Sequence, residues 1–243
     1  MEKQLAHLPD HFQGKKLRIL ELGTGRGGMS RRNALSLKEQ GKLDVYVCAN
    51  ISTVENRINQ QNAKAVGLDE PEYVVRQISF DDIYGEGTVK KGDQFDIICS
   101  CEALYHSKKR GEVISTVKEL LLPGGIFYLS DLMENADSPQ ENRDLVKQRF
   151  ADSIYGSVKE YCSLLDAVQM EKVEVIEQTY HLQRHYGLIR HTAVTSKKAE
   201  LLGPGGMTQE FYDKAIAGLD VWIKQSALNH VNWAVFIYRK PSN

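Results

Sequence analysis

Residues Lys16–Gly28, which read KLRILELGTGRGG, decide the fold of this chain of 243 residues. A short apolar run ends in a glycine-rich loop, and a segment of helix-compatible composition, Met29–Gln40, follows directly. Continuous apolar runs of this length favour buried strands, and clustered glycines mark loops. The stretch therefore predicts a strand, a loop and a helix, with any ligand expected at the carboxyl edge of the resulting sheet.

The alternation of apolar runs and helical segments continues along the first half of the chain. The further predicted strands are Leu43–Asn50, Glu72–Ile78, Phe95–Cys101 and Ile126–Ser130, and the helices between them include Ser52–Ala65 and Gly111–Leu122. Such alternation implies right-handed crossovers and a parallel sheet that is covered on both faces.

The pattern changes after Asp131, where a mostly polar and helical segment, Glu134–Glu171, has no clear strand. A strand-like run, Lys172–Ile176, follows this segment, and another, Val231–Tyr238, ends the chain. The helix candidates between these two runs are 182–201 and 208–225. We expect about seven strands and interpret the polar segment as an insertion, because no repeat or low-complexity linker indicates a second domain.

The charge balance and the cysteine content exclude several classes of protein. Lys and Arg number 31 and Asp and Glu number 32, so the formal net charge is −1 and nothing favours nucleic acid as a partner. No run approaches the roughly 20 apolar residues of a membrane span, and the start of the chain lacks a secretion signal, so we expect a cytoplasmic protein. The four cysteines form no CxxC pair, and His181 and His185 lack companion ligands, so no metal is expected.

The glycine loop matches two nucleotide-binding patterns. It reads as GxGxxG up to Gly28, and it also reads as (D/E)xGxGxG from Glu21. A dinucleotide site needs an acidic residue about 20 positions further on to hold the ribose, whereas the second strand ends in the neutral Asn50. The other pattern suits S-adenosylmethionine, whose methionine end would lie over the glycine backbone, with Glu21 near its ammonium group or ordering the loop. The pattern alone leaves both ligands open.

The chain resembles class I S-adenosylmethionine-dependent methyltransferases in the glycine loop, in Asn50–Ser52, in Phe95–Ile98 and in the turn Leu122–Gly125. Within that class it is similar to sarcosine/dimethylglycine N-methyltransferases, and the pieces that carry this likeness include Asn56, Asn59, Ala103–Ser107, Gly156, Ser157, Tyr161 and Trp222. The resemblance implies an α/β, Rossmann-like fold with a seven-stranded sheet. The sheet would be mostly parallel with its last strand antiparallel, with helices on both faces and a helical insertion after strand five.

The resemblance also implies one methyltransferase domain over residues 1–243. Its cofactor-binding half would be 16–131, a substrate-binding insertion and cap would be 132–230, and the last strand would be 231–239. Related enzymes usually carry a longer segment before the first strand that covers the cofactor. We therefore expect one of three outcomes: the first helix is built differently, a partner chain covers the site, or the activity is low.

The site residues that the resemblance implies fall into three groups. Those assigned to S-adenosylmethionine are Glu21, Gly23, Gly25 and Gly27 at the methionine end, Asn50 and Ile51 at the ribose, Ser79, Phe80 and Asp81 at the adenine, and also Ser100. His106, just after the fourth strand, would accept the proton of the substrate amine, with Glu102 orienting it. The residues assigned to the substrate are Arg149 for a carboxylate, His185 and Tyr186 as contacts, and Trp233 for the methylated nitrogen.

The expected activity is S-adenosylmethionine-dependent N-methylation of a small amine such as sarcosine or dimethylglycine, which completes glycine betaine synthesis. Methyl transfer from a sulfonium is an in-line displacement in which the enzyme chiefly positions the nucleophile and excludes water. Three alternatives stay open: another small acceptor such as phosphoethanolamine, a non-catalytic methyltransferase-like subunit, and an NAD-dependent dehydrogenase. We expect no membrane or nucleic-acid partner and keep a homodimer as a candidate assembly.

Overall fold

Seven strands form a single sheet in the computed structural model, which describes residues 10–12, 14–85, 89–149 and 156–242. The strands are β1 (Leu17–Leu22), β2 (Leu43–Asn50), β3 (Tyr73–Gln77), β4 (Phe95–Cys101), β5 (Leu121–Glu134), β6 (Glu171–Glu177) and β7 (Val231–Arg239). Their order across the sheet is β3-β2-β1-β4-β5-β7-β6. The pairs β1–β2, β2–β3, β1–β4 and β4–β5 are parallel, whereas β5–β7 is antiparallel. The predicted fold class is confirmed.

Eight helices and two 3₁₀ turns lie in the described part of the chain, and two of the helices begin at a side chain that accepts a hydrogen bond from the first turn. The helices are α1 (Gly28–Glu39), α2 (Thr53–Ala65), α3 (Arg110–Leu120), α4 (Gln140–Arg149), α5 (Val158–Ala167), α6 (Thr179–Val194), α7 (Lys198–Leu201) and α8 (Gln209–Ala227), with 3₁₀ turns at Asp10–Phe12 and Leu104–His106. The amide of Glu55 donates to Ser52 Oγ at 3.3 Å, which caps α2, and the amide of Phe211 donates to Thr208 Oγ1 at 3.2 Å, which caps α8. Such caps satisfy amides that no helical carbonyl can reach.

The predicted turn Leu122–Gly125 lies inside β5, where the strand is irregular: Gly124 has φ +76°, and the pairing with β4 shifts its register there. The amide of Gly124 donates to the carbonyl of Lys240, and the amide of Lys240 donates to the carbonyl of Gly125, both at 2.9 Å. The residues that follow β7 therefore hold this irregular segment in place. A partner more than 100 positions away leaves no local signal in the sequence.

The single helix predicted over 182–201 is also wrong, because α6 and α7 are separate helices. Thr195, at the end of α6, has φ −108° and ψ −80°, which is outside the helical region. Its hydroxyl donates to the carbonyl of His191 at 2.7 Å. Threonine side chains that bond to the preceding turn weaken the continuation of a helix.

The register of the parallel strands brings several loops to one edge of the sheet. Leu22 of β1 lies opposite Ala49 of β2 and opposite Ser100 of β4. The amide of Gly23 then donates to the carbonyl of Ala49 at 2.8 Å. The loops that follow β1, β2 and β4 therefore leave the sheet side by side, at its carboxyl edge.

Apolar side chains bury this half of the sheet against helices. One cluster joins Ile19, Leu37, Tyr46 and Ile97, all of which have no exposed surface. Full burial of such side chains stabilises a fold by roughly 1.5–3 kcal/mol each. This packing makes the carboxyl edge a rigid support for the loops that it carries.

The chain forms two compact units. In its described part, the first unit comprises residues up to 131 together with 159–176 and 235–242, and the second comprises 132–149, 156–158 and 177–234. Within the second unit α6 packs along α8, and Arg190 Nε lies 2.5 Å from Asp220 Oδ1. None of the helices in the described ranges combines the length and the apolar character that crossing a bilayer requires.

Candidate functional site

Three glycines in the loop after β1 have a left-handed backbone, with φ of +78° at Gly23, +52° at Gly25 and +70° at Gly27. Other L-residues enter this region at a cost of roughly 1–2 kcal/mol. A Cβ on Gly23 would lie 2.3 Å from the Cβ of Ala103, so the loop packs against the segment that follows β4. A Cβ on Gly25 would meet no atom within 4 Å, so open space adjoins this residue.

Gly27 lies against the buried amide of Asn59 on α2. A Cβ on Gly27 would approach Asn59 Oδ1 to 1.9 Å. That oxygen accepts hydrogen bonds from Arg31 Nη1 at 3.1 Å and from Tyr73 Oη at 3.0 Å. Because Gly27 has no side chain, α1, α2 and β3 can meet at one polar contact around Asn59. Gly27 therefore has a packing role.

Glu21, the acidic residue of the loop pattern, lies beneath the loop with only 3% of its surface exposed. Its Oε2 accepts a hydrogen bond from Tyr46 Oη at 2.5 Å. Burial raises the pKa of Glu21, and hydrogen bonds from Tyr46 and Ser30 oppose this rise. Of the two roles considered for Glu21, this geometry favours ordering the loop over contact with a ligand.

The end of β2 places two of the predicted ribose residues at the carboxyl edge. Asn50 is buried, and its Nδ2 donates to Glu55 Oε2 at 3.2 Å. Ile51, by contrast, has 67% of its surface exposed. The strand end therefore places the apolar side chain of Ile51 next to the polar pair Asn50–Glu55. Glu55 was not predicted from the sequence as part of the site.

The segment after β3 lies against the glycine loop. The Cε1 atom of Phe80 is 3.8 Å from the position of a Cβ on Gly23. The amide of Asp81 donates to Ser79 Oγ at 3.2 Å, which holds the turn in shape. The ring of Phe80 is half-buried and lies at the edge of the loop, so part of its face can stack on an adenine.

His106 ends the 3₁₀ turn that follows β4, and its side chain is exposed. The ring packs on Tyr105 with a centroid distance of 4.2 Å. Partial loss of hydration lowers the pKa of His106 below its ordinary value of 6.5. The imidazole is therefore mainly neutral at pH 7 and can accept a proton.

The turn that carries His106 is tied to the segment that carries Phe80. Ser107, which is buried, donates a hydrogen bond through its Oγ to Asp81 Oδ1. Sequence reasoning assigned Asp81 to an adenine and missed Ser107. A serine directly after the histidine was the available signal, but its partner is 26 positions away.

A buried acidic group lies in β5, at the level where the neighbouring strand β4 ends. Asp131 has no exposed surface, and its Oδ2 accepts a hydrogen bond from Tyr161 Oη at 2.6 Å. Burial raises the pKa of Asp131 well above its ordinary value, although the Tyr161 hydroxyl opposes this. Glu102, the predicted orienter of His106, accepts a hydrogen bond from Ser130 Oγ at 2.8 Å. The Asp131–Tyr161 pair was missed from the sequence, where an acid directly after an apolar strand was the only signal.

The second unit brings three of the predicted substrate residues into one aromatic group. Tyr186 stacks on Trp222 with a centroid distance of 5.2 Å and an interplanar angle of 14°. The ring of His185 lies 5.3 Å from that of Tyr186 and 6.3 Å from that of Trp233. The side chain of Arg149, the remaining predicted substrate residue, lies outside the described residues.

Comparison with known proteins identifies the family. A sequence profile described as a methyltransferase domain matches residues 1–175, more than half of the chain. The chain belongs to this methyltransferase family. It is a class I S-adenosylmethionine-dependent methyltransferase, as the glycine loop and the strand order indicate.

The methyltransferase is 30% identical over 224 residues to the sarcosine/dimethylglycine N-methyltransferase of Aphanothece halophytica, covering 92% of this chain and 76% of the relative. A solved structure from Galdieria sulphuraria, described as a sarcosine dimethylglycine methyltransferase, has a TM-score of 0.80 at 22% identity and covers 94% of this chain and 80% of that one. Haemonchus contortus phosphoethanolamine N-methyltransferase 2, solved with phosphomonomethylethanolamine and S-adenosylhomocysteine, has a TM-score of 0.78 at 18% identity and covers 99% of this chain and 52% of that one. The two structures show that the fold is shared.

The carboxyl edge of the methyltransferase fits S-adenosylmethionine, which supplies a methyl group activated on a sulfonium. Thr24 Oγ1 and Ser100 Oγ are buried there and have no hydrogen-bond partner among the described residues. Leaving such groups unpaired costs roughly 1–3 kcal/mol each, so a polar ligand at this edge is expected. Gly25 adjoins open space, and Phe80 provides an aromatic face. The residues present would therefore hold the methionine end at the glycine loop and the adenine beside Phe80.

Proposed function

We propose that this methyltransferase transfers the methyl group of S-adenosylmethionine to the nitrogen of sarcosine or dimethylglycine. The observation that carries the proposal is the packing of the glycine loop on Ala103, three residues before His106. A neutral imidazole beside the donor site suits an amine acceptor. Similarity to two N-methyltransferases for these amines, from Halorhodospira halochloris and Aphanothece halophytica, supports the same acceptor class.

His106 would make the acceptor nitrogen reactive. A nitrogen lone pair attacks the methyl carbon only in the free-amine form, whereas such amines are mostly protonated at neutral pH. The lowered pKa of His106 keeps its imidazole in the form that accepts a proton. The tie between Ser107 and Asp81 would hold the turn in place while it does so.

The carboxylate of the acceptor calls for a cation, and we assign Arg149 to it, as the resemblance to sarcosine/dimethylglycine N-methyltransferases implies. Two other cations of α4 are already paired, because Arg143 Nη2 lies 2.8 Å and Lys147 Nζ lies 3.8 Å from the carboxylate of Glu134. Arginine binds a carboxylate through two parallel hydrogen bonds, which fixes the orientation of the acceptor as well as its charge.

The aromatic group would receive the methylated nitrogen. Trp233 and Tyr186 offer ring faces, and the buried Trp222 supports Tyr186 by stacking. A quaternary ammonium cannot donate hydrogen bonds, so aromatic faces are its natural partners. Under this proposal, residues 132–230 supply substrate recognition and residues 16–131 hold the donor.

Phosphoethanolamine is the second candidate acceptor. A wheat phosphoethanolamine N-methyltransferase is 26% identical to this chain over 92% of its length, although the chain spans 41% of that relative. Its phosphate would need more cationic contacts than one arginine supplies.

The test is transfer of a labelled methyl group from S-adenosylmethionine to sarcosine, dimethylglycine, glycine and phosphoethanolamine. We expect the highest kcat/KM with sarcosine or dimethylglycine. In Arg149→Ala, the KM for dimethylglycine should rise at least about tenfold, the loss expected for a carboxylate hydrogen bond, while S-adenosylhomocysteine still binds. Arg32→Ala, an exposed arginine of α1, is the matched control. Preference for phosphoethanolamine would overturn the proposal, and turnover only after adding a second protein would indicate a subunit of a larger enzyme.

A further inference from the structure

The end of β2 has a neutral residue where a nucleoside site usually has an acid. A carboxylate at this point accepts hydrogen bonds from both ribose hydroxyls, which an amide does less strongly. Asn50 occupies the position, and its Nδ2 is already used, because it donates to Glu55 Oε2 at 3.2 Å. The strand end therefore has its negative charge on the neighbouring helix.

Glu55 is held where it can serve the ribose. It lies in the first turn of α2, with its amide bound to Ser52 Oγ, and its side chain is half-buried. Within the described part of the chain, only Oε2 of its carboxylate is engaged, so Oε1 can accept a further hydrogen bond.

The strand end itself is fixed relative to α2. The carbonyl of Asn50 accepts hydrogen bonds from Asn56 Nδ2 at 2.9 Å and from the amide of Ile78 at 3.2 Å. Asn56 is buried, and its Oδ1 has no partner among the residues that the structure describes. Asn50, Glu55 and Asn56 thus form one rigid polar group at the edge that carries the glycine loop.

We propose that Glu55, positioned by the amide of Asn50, is the carboxylate that binds the ribose hydroxyls of S-adenosylmethionine. Asn50 is then a positioning residue: it donates to Oε2 and turns Oε1 toward the ligand. A glutamate in a first helical turn also stabilises the helix through its charge. If Glu55 only stabilised the helix, its substitution would lower the stability of the protein without lowering the affinity for the ligand. This difference distinguishes a structural role from ribose binding.

The experiment measures binding of S-adenosylhomocysteine by isothermal titration calorimetry, with no acceptor present. Glu55→Gln should weaken binding at least about tenfold, since hydrogen bonds to a charged group are the strong ones. Removing the ribose 2′-hydroxyl from the ligand should cost the wild type far more affinity than it costs Glu55→Gln. Glu210→Gln, which removes a first-turn charge from α8, is the matched control and should bind as the wild type does.

An exchange of the two side chains tests the positioning. In Asn50→Asp with Glu55→Gln the carboxylate moves to β2 and the amide to α2, so affinity should return to within about threefold of the wild type, whereas each single variant stays weak. Wild-type affinity of Glu55→Gln, or an equal 2′-hydroxyl effect in both proteins, would overturn the proposal. Because no acceptor is used, this result is independent of whether dimethylglycine is the substrate.

Discussion

Substituting alanine at two neighbouring loop glycines should separate packing from ligand binding. Gly25 and Gly27 share a left-handed backbone, so alanine costs roughly 1–2 kcal/mol of conformational strain at either position. Alanine also restricts the unfolded chain, which returns about 0.4–1 kcal/mol. The backbone contribution is therefore nearly the same at both positions, and their surroundings decide the difference.

The surroundings of the two glycines are opposite. At Gly25 the new methyl group meets nothing within 4 Å, so the net loss of unfolding free energy stays at about 1 kcal/mol. At Gly27 it would lie 1.9 Å from Asn59 Oδ1 and displace an amide that accepts two hydrogen bonds, each of which contributes about 1 kcal/mol. We expect Gly27→Ala to lose about 2–4 kcal/mol, or roughly 5–15 °C in Tm for a chain of this size.

Thermal unfolding without ligand and calorimetric binding of S-adenosylhomocysteine measure the two effects separately. Gly25→Ala should keep its Tm within about 3 °C of the wild type and yet bind at least about tenfold more weakly, because its methyl group enters the space that we assign to the methionine end. Equal losses of Tm in the two variants would refute the packing argument. Wild-type affinity in Gly25→Ala would refute the placement of the ligand.

Two further predictions concern titratable groups. His106→Ala should lower kcat by about 100-fold or more, while the affinity for S-adenosylhomocysteine changes less than about threefold. The substitution should also remove the fall of kcat/KM at acid pH, which in the wild type lies below pH 6.5. Equal losses of turnover and binding would instead show that His106 has a structural role. Burial raises the pKa of Asp131, so above its unfolded value of about 4 the folded state holds the proton more tightly than the unfolded chain and stability falls as pH rises. The free energy of unfolding of Asp131→Asn, measured in urea, should therefore increase relative to that of the wild type as the pH rises from 5 to 8. A difference between the two proteins that is independent of pH would contradict this prediction.

The strand–loop–helix unit and the sheet that it opens were predictable from the sequence, because both depend on neighbouring residues. Apolar runs bounded by glycines and caps define β1, β2 and β4 to within one or two residues. Ser52 and Thr208 mark helix starts through contacts only three positions long. The parallel orientation of these strands then follows from the alternation of strands and helices.

The candidate site was predictable only in its outline. The glycine loop and the strand ends follow from the pattern, and parallel strands bring those ends to one edge. The pattern did not distinguish Gly25, which faces open space, from Gly27, which packs on Asn59, since both are glycines of one loop. It also assigned Glu21 to the site without showing that Tyr46 holds its carboxylate.

By itself, the sequence determined the fold class, the cofactor loop and the kind of residue at each strand end. The tertiary structure decided which residues hydrogen-bond to one another: Asp81 with Ser107, Asp131 with Tyr161, and Gly124 with Lys240 near the end of the chain. The physical reason is that hydrogen bonding and burial depend on distance in space. Residues 26 to more than 100 positions apart meet only after the sheet has formed, and their contacts leave no local pattern to read.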